Sequence, residues 1–89
     1  MARYQSAAHE FVDHANQAGA ADDLFELGLQ YCVGRDVEVD LVIAHKWFNL
    51  AAIRGNEEAR QYRTQIAQEM TKPQIATAQK LAREWLSRH

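Results

Sequence analysis

The chain has 89 residues, 47% of them hydrophobic and 25% charged, enough for one domain with a single modest core and no second lobe to close over a substrate. A formal net charge of -2 supplies no basic field for nucleic acid or an anionic membrane, and no window is long and apolar enough to span a bilayer. The start of the chain, Met1-Ala2-Arg3-Tyr4-Gln5, has no signal-like apolar run and Cys32 has no second cysteine to pair with, so the expectation is a cytoplasmic protein.

In chain order, Tyr4, Ala7, Ala8, Phe11, Ala15 and Ala18 recur at the spacing of one helix face, and Gly19 ends that segment. A second helix is expected from about Asp22 to Val33. Leu24, Leu27, Gly28 and Tyr31 form one stripe on it and Phe25, Leu29 and Cys32 a neighbouring one, which predicts contacts on two sides. Val37-Glu38-Val39 alternates like a strand but is too short to stand without a pairing partner. Asp40 suits the N-cap of a third helix, Leu41 to Arg54, which Gly55 stops; Asn56 then caps a fourth, Glu57 to Met70, with two glutamates in its first turn.

Thr71-Lys72-Pro73-Gln74 reads as a capping box with proline in the first turn, Met70 and Ile75 being placed to staple it. The last helix, Pro73 to Ser87, carries Ile75, Ala78, Ala82 and Trp85 on its stripe. The expected fold is therefore all-α, a short α-solenoid of antiparallel helical hairpins with about five helices.

Shifting the chain by thirty-six positions aligns Ala8 with Ala44, His9 with His45, Ala15 with Ala51 and Gly19 with Gly55, and sets Phe11 against Trp47. A fixed offset in this range marks stacked helical hairpins. The residues Leu27-Gly28, Tyr31, Gly34, Val37, Asp40, Ala44, Trp47, Ala51-Ala52, Gly55 and Ala59 follow one another without insertion at the spacing of the SEL-one-like repeat, a relative of the tetratricopeptide repeat, and the segment resembles that family. The resemblance covers a half repeat over residues 4–18 and a full repeat over 19–59; the thirty-six-residue offset fails beyond Ala59, which marks the helices over 57–88 as a terminal cap. The resemblance departs at Asp36, where the family has a second loop glycine, and at Asp23, where it has a small residue.

Chemistry finds little support. Asp36, Glu38 and Asp40 alternate as in a calcium loop, but Leu41 and Trp47 stand where that loop needs Gly and Glu. His9, His14, His45 and His89 lack the convergent partners that zinc requires, and Cys32 on an apolar stripe suits a buried thiol. Lys72, Lys80, Arg83 and Arg88 form a mildly basic, solvated face on the last helix.

The expectation is thus a non-enzymatic module with no metal or cofactor that binds another protein or a peptide, and neither nucleic acid nor membrane. In such a module Leu27, Gly28, Tyr31, Gly34, Asp40, Ala44, Trp47, Ala51, Ala52, Gly55 and Ala59 hold the hairpin together. Glu26, Gln30, Arg60 and Arg63 are the expected partner contacts. The alternatives are a homo-oligomeric scaffold and a small hydrolase using His9 and His45.

Overall fold

The computed structural model describes residues 20–89, which form four helices, α1 (Ala21–Val33), α2 (Leu41–Ile53), α3 (Glu57–Ala67) and α4 (Lys72–Arg88), and no strand. The helix expected from residues 4–18 and the half repeat it belongs to lie outside the described residues.

Helix α1 begins with Asp22 and Asp23 in its first turn, where the free N–H groups favour negative charge. It ends at Gly34, whose φ of 81° is left-handed and whose N–H donates to Gln30 O over 2.9 Å. Asp36 takes the position of the missing loop glycine with a φ of 65°, a region that Asp tolerates better than most residues. The loop closes back on the helix where the Asp40 N–H donates to Tyr31 O at 3.0 Å, so no strand forms from Val37 to Val39.

The side chain of Asp40 accepts from the Ile43 N–H at 3.1 Å and so caps α2. At the far end, the Asn56 N–H donates to Ala51 O at 2.9 Å. The Asn56 side chain meanwhile accepts from the Ala59 N–H at 2.8 Å and donates to Asp22 Oδ1 at 3.0 Å. Two turns thus tie the start of α1 to the end of α2, and the end of α1 to the start of α2, which makes the pair antiparallel.

Helix α2 is apolar around nearly its whole circumference, and it is the helix that comes into close backbone contact with each of the other three. Helix α1 also meets two helices, α2 and α3, through Phe25. Its adjacent residues Trp47 and Phe48 point about 100° apart around the axis and serve different neighbours. Phe48 is fully buried and meets Phe25 of α1 at a centroid distance of 5.8 Å and Tyr62 of α3 at 5.4 Å, while Phe25 and Tyr62 meet at 5.6 Å. Trp47 meets Trp85 of α4 edge-on at 5.8 Å. Ala44, Ala51, Ala59, Ala78 and Ala82 are buried, the small residues that let helices approach.

Helix α3 ends at Ala67, before the expected Met70, because the chain tightens into i to i−3 bonds: Gln68 N–H to Gln65 O, Glu69 N–H to Ile66 O and Met70 N–H to Ala67 O. That turn tucks Met70 against the core and delivers Thr71 in extended conformation for the next cap. The capping box is complete, with Gln74 N–H donating to Thr71 Oγ1 at 3.2 Å and Thr71 N–H donating to Gln74 Oε1 at 2.9 Å. Thr71→Ala removes one of these bonds and is expected to cost ~1 kcal/mol of unfolding free energy. Urea melts of the two proteins measure the difference, and equal midpoints would show that water replaces the cap without loss.

Candidate interaction site

Of the four residues singled out for partner contact, Glu26 is exposed on α1 and pairs with Arg35 at 3.5 Å, and Gln30 lies one turn further on, half-buried, its carbonyl occupied by the Gly34 and Arg35 N–H groups. Arg60 is exposed on α3. Arg63 is half-buried and donates to Asn49 Oδ1 of α2 at 2.6 Å, which ties the two helices together. No hydrogen bond or ion pair among the described residues joins the α1 pair to the α3 pair.

The repeat positions are mostly internal. Gly28, Ala44, Ala51 and Ala59 are buried, Tyr31, Trp47 and Ala52 are half-buried against the core, and Gly34, Asp40 and Gly55 serve the turns. Leu27 is half-buried on α1.

His45 is 3% exposed, closed off from solutes and not placed to act on a substrate; its Nδ1 has no hydrogen-bond partner among the described residues. His9 and His14 lie outside the described residues, and among those described no group of His, Cys, Asp and Glu is arranged to hold a metal ion. Burial, and secondarily the Arg63 guanidinium, push the imidazole pKa of His45 below its ordinary value, so the folded chain holds it neutral. The unfolded chain takes up a proton that the folded chain refuses, and stability therefore falls as pH drops below ~6.5, the unperturbed value. His45→Leu is expected to flatten that decline. Chemical denaturation of both proteins between neutral and mildly acidic pH tests this, and parallel declines would sink it.

Cys32 is half-buried, and its thiol is pushed up by burial and then by the Glu69 carboxylate, which keeps it protonated. It is a packing residue.

A different face gathers charge and aromatic surface. The Lys46 ammonium lies 4.2 Å above the Trp47 ring, and the Arg54 guanidinium lies 5.7 Å from the centre of the Trp85 ring. His89 stacks on Trp85 at 4.4 Å with 15° between the planes, held by its Nδ1 at 2.9 Å from Trp85 O. Lys46 is held below the usual lysine range by burial and then by the nearby Arg88, with Glu84 acting in the opposite direction.

The basic face of α4 is thus joined, at Arg88, to cations of α2. Sequence reasoning singled out Arg88 and Trp47 but missed Lys46, Arg54, Trp85 and His89 as one cluster. Two local signals were present: Arg54 lies two turns after Trp47, and His89 one turn after Trp85. What joins them is the docking of α4 on α2, a long-range fact. No described helix is long and apolar enough to cross a membrane. No family model matches the chain, and no curated protein or solved structure shows significant similarity to it.

Proposed function

We propose that this chain is a short helical-repeat module that binds another protein or a peptide and catalyses no reaction, as its resemblance to the SEL-one-like repeats implies. One observation carries the reading. Corresponding helices of the two successive pairs touch: Phe25 of α1 meets Tyr62 of α3, and Trp47 of α2 meets Trp85 of α4. Such cross-unit contacts are what stacked hairpins require, each unit burying its apolar face against the next. The repeat positions are consumed by that packing, so specificity falls to exposed side chains such as Glu26 and Arg60. Cytoplasmic placement belongs to the same proposal.

Crosslinked affinity capture from the native host, read by mass spectrometry, tests it. The expected result is a specific partner whose capture is lost in Glu26→Lys/Arg60→Glu; recovery of no specific partner, or capture indifferent to these changes, would overturn the reading. Exposed apolar side chains, Val33 at 65%, Val39 and Ile53 at 58%, favour a second reading, a homo-oligomeric scaffold. Light scattering that finds a monomer at high micromolar concentration removes it.

A further inference from the structure

The α2–α4 face has a composition unlike the rest of the molecule. Helix α2 contains no carboxylate and α4 only Glu84, whereas α1 and the loop after it contain Asp22, Asp23, Glu26, Asp36, Glu38 and Asp40. A chain with net charge -2 therefore concentrates Lys46, Arg54 and Arg88 around two indole rings. Lys46 and Arg88 are held close enough to repel, and Lys46 is half-buried; Glu84 offsets this desolvation and like-charge repulsion only in part. An anion placed between them relieves both.

We infer that the face formed by Lys46, Trp47, Arg54, Trp85 and Arg88 is a docking site for an acidic segment of a partner protein, in which carboxylates engage Lys46 and Arg88 and an apolar neighbour lies on the half-buried Trp47. The cations are few and set around indole surface, which suits carboxylates interspersed with apolar side chains. Ile53, two turns after Lys46 and so on its side of α2, is exposed and extends the apolar component. A single-stranded nucleic acid fits less well. Bases need open aromatic faces to stack on, and the Trp85 ring, 9% exposed, already carries His89 and Arg54.

The inference rests on the reading of the chain as a binding module, but its test needs no natural partner, so the two fail separately. The chain has two tryptophans, Trp47 and Trp85, both in this face, and its intrinsic tryptophan fluorescence therefore reports on this site alone. The probe is a short fluorescein-labelled peptide alternating glutamate with leucine, added to the 89-residue chain at low salt; its lysine counterpart and oligothymidylate are the comparisons.

The expected result is saturable binding by anisotropy, a matching change in tryptophan emission, and weakening as salt rises. Lys46→Gln and Arg88→Gln, which keep much of each side-chain stem, should each weaken binding by roughly tenfold or more, with helix content unchanged by circular dichroism. Lys72→Gln, at the opposite end of α4 from Arg88, should leave it unaffected. The Lys46 ammonium, followed by NMR, should titrate at higher pH with peptide bound than without. Binding that survives both glutamine variants, no binding at low salt, or an unmoved Lys46 titration would overturn the proposal. So would equal, Lys46-dependent binding of oligothymidylate, which would assign the face to nucleic acid.

Discussion

Phe48→Ala is expected to lower the free energy of unfolding by ~3–5 kcal/mol. The ring is fully buried where α1, α2 and α3 meet, with Phe25 and Tyr62 at centroid distances of 5.8 and 5.4 Å. Truncation removes the apolar area of the ring and leaves a cavity whose walls belong to three separate helices, so no single side chain can collapse into it. Domains of this size are stable by about 5–15 kcal/mol, and the variant is expected to approach the unfolding threshold at ambient temperature. Guanidinium melts measure the loss. A cost under ~1.5 kcal/mol would mean that the helices close over the cavity, contrary to a core pinned by an aromatic from each.

Gly28→Ala is expected to destabilise the same junction by ~1–3 kcal/mol, although alanine is the better helix former by up to ~1 kcal/mol. A Cβ at residue 28 would lie 2.5 Å from Phe48 Cε1 and 3.0 Å from Cγ, and closer still to Cδ1. The Phe48 ring cannot retreat, because Phe25 and Tyr62 stand around it. The collision is mutual, so Gly28→Ala combined with Phe48→Leu should cost less than the two separate losses together, with a coupling of ~1 kcal/mol or more in a double-mutant cycle. Additive losses would show that Gly28 is there for some reason other than close approach to Phe48.

Gly28 was visible in the sequence as a pattern residue, but Phe48 was not singled out and the pairing of the two was not legible. Helix boundaries came through well wherever a side chain announces them: Asp40, Asn56 and Thr71 cap as their types require, and Gly34 and Gly55 adopt left-handed φ. The end of α3 was misjudged because no glycine or proline marks it; the chain simply tightens between Gln65 and Met70. The central place of α2 was half legible, since a helix apolar around most of its circumference needs cover on more than one side. Which neighbour covers which side depends on contacts distant in sequence, and no spacing rule supplies those.

The same limit applies to the candidate site. Residues 46, 47 and 54 belong to one pattern and residues 85, 88 and 89 to another, and only docking makes them a surface. Arg63 illustrates the converse. Its spacing suggested an outward contact, whereas its guanidinium turns inward to Asn49 and sits beside buried His45. A charged side chain at a helix position gives no sign in sequence of whether a neighbouring helix offers it an acceptor.

The position of α2 as the shared neighbour of three helices that touch one another far less sets an order of opening. Amide protons of α2 can exchange with solvent only when every contact in the domain is lost, so they should report global stability. Those of α4, whose close backbone contacts run to α2, can exchange when that helix alone lifts away. The molecule behaves as a hub with detachable arms, and the arm that detaches takes half of the charged aromatic face with it.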